Sequence, residues 1–407
     1  MRIVPRPWLM LAVMVFSQAS TTVAIATPAF LIPYLHEREG MDLASAGLLA
    51  GAPNLGLVLA LFVWGVIADR AGERRVLLVG FSLSVLAVAA SMLASDFVWL
   101  GIAFVVTGAM TACVNNTSGR LIAGWFPAGR RGLAMGIRQT CQPLGMAIAA
   151  LAVPPIAAQL GIRGALAFGG VLLLASLVLS ACVVVDSAVA PEAVPAATAG
   201  GAESAAPVAA GVSANPYRGS AVLARIHAAS VLLVVPQFAL STFGLVWFTL
   251  GFHWSPLAAG VLVALAQFLG AGGRILIGVW SDRIGSRLWP LRRVAVAAAV
   301  AMLAAAGCGW ADWSWAAAVV YVIASCISVA DNGLSFTAVA EIAGPRWSGR
   351  ALGVQNTGQF LAASAVGPAV GALIALLGVP AAFALVAVAP ALAAPLVPSV
   401  RAERGAS

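Results

Sequence analysis

The sequence contains no lysine: its 22 basic residues are all arginine, and with 14 acids they leave only 9% of 407 residues charged. A water-soluble chain of this length needs far more charge to cover its surface. Histidine and tyrosine are scarce too, at three residues each. The five cysteines (Cys113, Cys141, Cys182, Cys308 and Cys326) all fall inside apolar stretches and show no metal-ligand spacing. Neither a disulfide nor a metal centre is expected; they read as small apolar core residues. A Walker-type phosphate loop is missing, which excludes ATP as the energy source. With His36, His227 and His253 all at helix ends or loops, a Ser/His/Asp site is hard to assemble. No enzyme and no cofactor are therefore expected, and solvated loop histidine is the default for all three. Arginine used alone, in a chain rich in alanine and glycine, reads as the imprint of a GC-rich bacterial genome.

What is present is apolar sequence, at 62% of residues. Stretches of about 20 apolar residues are long enough to cross a bilayer as helices. They fall at about 8–35, 44–67, 76–95, 98–122, 132–157, 164–185, 226–250, 257–280, 293–310, 314–340, 350–376 and 379–397, and are numbered here as spans 1 to 12. The first follows Arg2 and Arg6 like a signal peptide, but it is too long for one and reads as an uncleaved helix.

Arginine placement sets the orientation. With the N-terminus inside, Arg2, Arg6, Arg70, Arg74, Arg75, Arg130, Arg131, Arg218, Arg225, Arg283, Arg287, Arg292, Arg293, Arg346, Arg350, Arg401 and Arg404 lie in cytoplasmic segments, against Arg38 and Arg163 outside. The positive-inside rule then puts both termini in the cytoplasm of a multi-pass inner (plasma) membrane protein. The net charge of +8 is a topology signal and implies no nucleic-acid partner.

One sentence of sequence occurs twice. Gly65-Val66-Ile67-Ala68-Asp69-Arg70-Ala71-Gly72-Glu73-Arg74 returns 213 residues later as Gly278-Val279-Trp280-Ser281-Asp282-Arg283-Ile284-Gly285-Ser286-Arg287. Each copy follows an apolar span, so the chain is read as two related bundles. Between spans 6 and 7, residues 186–220 are rich in Ala, Pro, Gly and Ser and read as a flexible linker. The expected domains are a six-helix bundle at 1–185, the cytoplasmic linker at 186–220 and a second six-helix bundle at 221–407.

Twelve spans, a central linker and Gly-x-x-x-Asp-Arg-x-Gly-x-Arg after spans 2 and 8 resemble the major facilitator superfamily. A second pair of short motifs, Arg131-Gly132-Leu133-Ala134-Met135-Gly136 and Gly349-Arg350-Ala351-Leu352-Gly353, opens spans 5 and 11. The resemblance implies an all-α membrane protein of two pseudo-symmetric six-helix bundles. It also implies that Asp69, Arg70, Arg74, Arg131, Asp282, Arg283, Arg287, Glu341 and Arg350 form or flank cytoplasmic latches. The alternative for these charges is that they only hold topology and loop shape. Two departures weaken a likeness to the drug/proton antiporters of this superfamily. Phe104 stands where those carry an Arg four residues before Gly108, and Gln142-Pro143-Leu144-Gly145-Met146 keeps their proline but not their glycines.

Polar side chains in lipid-solvated helices are costly and face a cavity or a partner helix. Here amides recur on matching spans: Gln18 and Gln237, Asn54 and Gln267, Asn116 and Asn332, Gln139 and Gln355. By the resemblance, spans 1, 4, 7 and 10 line a central path, flanked by spans 2, 5, 8 and 11. A ring of amides there can bind a polar solute, since each both donates and accepts; the alternative is hydrogen bonding between helices. Arg120 and Arg138 sit at similar depth on spans 4 and 5. They could hold a carboxylate, pair with Asp331, snorkel to the surface or belong to the latch. Arg274 resembles a structural arginine of similar transporters. Asp331, near mid-membrane, could exchange a proton or hold a permanent ion pair.

The expected protein is a monomeric secondary transporter of a small polar solute, an organic anion by preference, with proton coupling. Its partners are that solute, protons and the bilayer. The runner-up is an efflux pump for amphipathic drugs or metabolites, with Phe238, Phe243, Trp247 and Phe248 lining an apolar cavity. A sensor or scaffold that kept the fold is a third reading.

Overall fold

The computed structural model describes residues 7–126, 134, 137–138, 140–185, 215–217, 221–343 and 347–399. Among these the regular structure is helical, with no strand. Lipid supplies no water to backbone N–H and C=O groups, and a helix satisfies them within itself. The first half holds α1 (Pro7–Phe30), α2 (Ile32–Glu37), α3 (Leu43–Ala71), α4 (Glu73–Met92), α5 (Phe97–Thr111), α6 (Cys113–Trp125) and α7 (Cys141–Val183). The second half holds α8 (Val222–Val246), extended by a π turn at Trp247–Gly251, then α9 (Pro256–Ile284) and α10 (Leu288–Trp310). It continues with α11 (Ser314–Ser328), α12 (Asp331–Ala343), α13 (Ser348–Val386) and α14 (Val388–Leu396).

Among the described residues, ten helical segments are long and apolar enough to cross a bilayer. Two of these, Cys141–Val183 with 43 residues and Arg350–Leu396 with 47, are far longer than one crossing requires. Left-handed glycines break both, Gly161 (φ 68°) in α7 and Gly378 (φ 80°) in α13. Counted as pairs of crossings, they take the ten segments to the twelve spans of the sequence.

The breaks fall at matching places in the two halves. Gly72 (φ 81°) and Gly285 (φ 67°) are the same glycine of the repeated motif, and a residue without Cβ is the one that holds this backbone without strain. The interruption at Ala112 between α5 and α6 matches that at Val329 and Ala330 between α11 and α12. Aspartates start two helices. Asp42 accepts from the backbone N–H groups of Ala44 (3.0 Å) and Ser45 (2.9 Å) ahead of α3, and Asp96 from those of Val98 (3.0 Å) and Trp99 (2.9 Å) ahead of α5. Hydrogen bonds from Ser45 hold the Asp42 carboxyl below the usual carboxylate range.

Outward faces are as apolar as the interior: Leu86, Leu276, Trp315 and Leu376 are each exposed. Such a surface fits hydrocarbon as its solvent. Trp310, Trp313 and Trp315 cluster at the α10–α11 turn, away from the arginine-rich loops, as in an interfacial aromatic belt.

The two halves meet chiefly through α3 against α13 and α7 against α9. At the end opposite the arginine-rich loops these pairs touch backbone to backbone. Gly47 packs on the carbonyl of Gly367 and Gly260 on that of Ala150, with no room for a Cβ. Toward the arginine-rich end, Gly272 and Gly278 of α9 and Gly353 of α13 have open space where a Cβ would stand. The buried apolar cluster there, which includes Ile226, Leu291, Leu334, Val339 and Leu352, draws on the second half alone. The protein is therefore sealed on one face, where these close contacts gather.

Gly47→Val is expected to push α3 off α13 and to cost about 1–3 kcal/mol, as overpacking does, seen as a lower unfolding temperature in detergent. Gly272→Ala, which meets nothing, should be neutral or slightly stabilising. Equal effects would show that the seal at Gly47 does not exist.

Candidate functional site

In the first half, four polar side chains converge from three places. Gln18 of α1 donates from Nε2 to Asn115 Oδ1 of α6 at 2.9 Å, and its Oε1 accepts from the Ser118 hydroxyl at 3.4 Å. Arg138, just ahead of α7, donates from Nε to Ser118 Oγ at 2.9 Å and from Nη2 to the Asn115 carbonyl at 3.3 Å. Gln18 and Arg138 are both only 5% exposed. A guanidinium this deep is kept there by acceptors that engage its donors. Asn116 is the expected pathway residue on this helix, yet the bond from Gln18 reaches its neighbour Asn115. One residue turns a helix by about 100°, and two adjacent asparagines offer no pattern to choose between them. The side chains of Asn116 and Arg120, and the whole of Gln139, lie outside the described residues.

The second half carries a longer network. Asn332 of α12 donates from Nδ2 to Gln237 Oε1 of α8 at 3.1 Å and accepts at Oδ1 from Gln359 Nε2 at 3.3 Å. Gln359 and Gln355, one turn apart on α13, both donate to Ser230 Oγ, at 2.7 and 2.8 Å. Gln355 Oε1 meets His227 Nδ1, and His227 Nε2 lies 3.0 Å from the hydroxyl of Tyr217. The expectation of a solvated loop histidine fails at His227, which sits half-buried in the second turn of α8 and bonded on both ring nitrogens. Sequence reasoning missed Gln359, Ser230, Tyr217, Asn115 and Ser118. Gln359 was findable, since i and i+4 share a helix face; serines in such helices carry no comparable signal.

Asp331 of α12 is fully buried, and neither carboxylate oxygen accepts a hydrogen bond. The cation that acts on it is Arg274 of α9, whose Nε also lacks a partner. Asn54 of α3 is buried and Gln267 of α9 half-buried; neither bonds to the two networks.

Matching buried amides on duplicated helices, flanking a contact between halves, call for comparison with known families. A model of the Major Facilitator Superfamily matches residues 9–366. The chain belongs to the major facilitator superfamily. An uncharacterized MFS-type transporter of Mycobacterium tuberculosis is 42% identical over 391 residues, covering 96% of this chain and 84% of that protein. A hexuronate transporter of Bacillus subtilis is 28% identical over 125 residues, covering 31% of this chain and 30% of that one. Among solved structures, a bacterial homolog of the human lysosomal transporter Spinster, inward-facing and occupied, superposes with TM-score 0.77. It is 16% identical and covers 97% of this chain and 96% of that one.

As an MFS transporter, the protein is a multi-pass membrane protein, and the residues of its loop motifs are held as follows. Arg74 donates from Nη2 to the Ala181 carbonyl of α7 at 2.9 Å. Arg287 pairs with Glu341 at 3.3 Å and donates from Nη1 to Ser281 Oγ at 3.0 Å. Arg350 stacks on Trp347 at 5.0 Å. Each of these contacts stays within its own half. Arg70 and Arg283 are exposed. The side chains of Asp69 and Asp282, and all of Arg131, lie outside the described residues.

Three of the four aromatic residues named for an apolar cavity, Phe243, Trp247 and Phe248, are buried, and Trp247 and Phe248 pack with Phe383 (5.1 Å), Trp254 (5.1 Å) and Tyr321 (5.5 Å) at the sealed end. Phe238 is half-buried. Among the described residues, no cluster of three or more potential metal ligands occurs.

Two substitutions separate surface from interior. Glu341→Gln should cost less than about 1 kcal/mol, because an exposed ion pair contributes little. Ser118→Ala should cost about 1–3 kcal/mol, because it strips a buried donor of its acceptor. Thermal unfolding of the purified protein in detergent decides; the reverse ranking would disprove the assignment of Ser118 as a buried anchor.

Proposed function

We propose that this MFS transporter carries a small organic anion by alternating access, with proton coupling. The observation that carries the reading is Arg138, a cation 5% exposed and fixed in place by Ser118 and Asn115 beside Gln18. A rigid guanidinium next to amide donors suits a carboxylate, and the partial likeness to a hexuronate transporter agrees with it. The remaining amides, Asn54, Asn116, Gln139, Gln237, Gln267, Asn332 and Gln355, with Arg120, complete the proposed substrate path.

The bundles at 1–185 and 221–407 act as the two moving bodies, joined by the linker at 186–220. The arginine-rich face is cytoplasmic, as the positive-inside rule supports, and both termini lie there. The sealed face then looks outward and the structure is inward-facing, in the inner membrane and as a monomer. No catalytic step is proposed. Asp331 is the proton-coupling group: it is buried and neither of its carboxylate oxygens carries a hydrogen bond. A carboxylate out of water must hold a proton or find a partner, and alternation between those conditions couples cargo to protons. Asp69, Arg70, Arg74, Arg131, Asp282, Arg283, Arg287, Glu341 and Arg350 act in the gate.

Labelled glucuronate is expected to accumulate in proteoliposomes made alkaline inside. Asp331→Asn should abolish accumulation driven by the pH gradient while leaving exchange of internal for external glucuronate. If no carboxylate in a panel of sugar acids and small organic acids moves under any gradient, the anion reading is wrong.

A further inference from the structure

The hydrogen bonds of the second half run in one direction. Ser335 Oγ donates to the Asn332 carbonyl at 3.5 Å, so it is an acceptor for Ser230, whose hydroxyl points to it at 3.3 Å. With its single proton committed, Ser230 can only accept, and it accepts from both Gln355 and Gln359. Gln355 therefore turns its oxygen to His227, and an amide oxygen can only accept. The proton of His227 must sit on Nδ1, leaving Nε2 to accept from the Tyr217 hydroxyl. Toward the cavity, Gln359 donates to Asn332 and Asn332 donates to Gln237 Oε1. The chain ends with the Nε2 donors of Gln237, half-exposed and without an acceptor among the described residues.

We propose that His227 is a positioning residue for the substrate site: it holds Gln355, which shares the Ser230 acceptor with Gln359, and so keeps in place the branch that runs through Gln359 and Asn332 to the N–H donors of Gln237. Tyr217, from the end of the linker, locks the tautomer that does this. The inference rests on the anion reading above, since outward-pointing donors complement a carboxylate. Among the groups around His227, Arg225 is engaged with the carbonyls of Pro395 and Leu396, and Arg350 lies on Trp347, which itself contacts Tyr217. No carboxylate faces the ring among the described residues, so the neutral hydrogen-bond chain decides its state.

The full-length protein labelled with 15N-histidine gives the decisive readout, independent of any cargo. Near pH 8 an imidazole is ordinarily neutral, and loss of one signal set in His227→Asn assigns His227 against His36 and His253. The expected spectrum has the proton on Nδ1, and Gln355→Met, which removes the acceptor, should move it to Nε2. A proton on Nε2 in the wild type, or no change in Gln355→Met, would overturn the proposal.

Glucuronate uptake supplies the second readout. His227→Asn keeps a donor near the Nδ1 position and should hold KM within about twofold of wild type. His227→Gln reaches the Nε2 position instead and should raise KM by about three- to tenfold, the loss of one neutral hydrogen bond. Equal KM values with lower yield of both variants would mark His227 as merely structural. Wild-type protein inert to glucuronate, with the expected tautomer, would sink the anion reading and leave the directed chain standing.

Discussion

Lipid offers a polar side chain nothing to bind, and that constraint organises the whole protein. Hydroxyls can bond back to their own helix, as Thr27 does to the Val23 carbonyl and Ser84 to that of Gly80, but an amide or guanidinium on a buried face finds its partner on a neighbouring segment or faces a wet space. Two sets of partners result, one built on Arg138, Ser118, Gln18 and Asn115, the other on Gln355, Ser230, Gln359, Asn332 and Gln237. Apolar packing cannot specify helix rotation sharply when every face is greasy. The hydrogen bonds do so, because an amide turned by one residue would meet hydrocarbon.

The second determinant is how closely backbones approach. Where Gly47 meets Gly367 and Gly260 meets Ala150, helices of opposite halves come as near as main chains allow, and dispersion between them acts over a continuous surface. At the other end two apolar clusters among the described residues, one around Leu291 and Val339 and one around Leu11 and Phe126, each belong to a single half. A backbone contact of this kind is not graded: it either fits or is broken over several turns together. Two discrete arrangements of rigid bodies are the natural outcome, and alternating access needs no more than that.

Much of this was legible before any coordinates. The duplicated motif marked Gly72 and Gly285 as equivalent positions, while their shared left-handed backbone became visible only in the structure. Apolar length located the spans, although Gly161 and Gly378 hid inside continuous helices whose composition does not change across the break. Matched amides located Gln237, Asn332 and Gln355. The choice between Asn115 and Asn116 was not legible, since it depends on helix rotation. Nor was the bonding of His227, since its partners stand 10 residues before it and 128 after. For the aromatic stretch of α8, sequence reports size and greasiness but not whether a ring meets a void or Phe383 and Tyr321.

The two halves share an architecture and differ in what anchors their polar networks. In the first half the anchor is Arg138, which stays charged at any pH a cell meets. In the second half the network takes in His227, and one residue before Asn332 stands Asp331 with no hydrogen bond of its own. A permanent cation can attract an anion but cannot report a proton; a buried carboxylate or imidazole can exchange one but holds no fixed charge for the cargo. On the proposed reading these tasks are divided between the halves: Arg138 of one network holds the anion, and Asp331, next to Asn332 of the other, exchanges the proton.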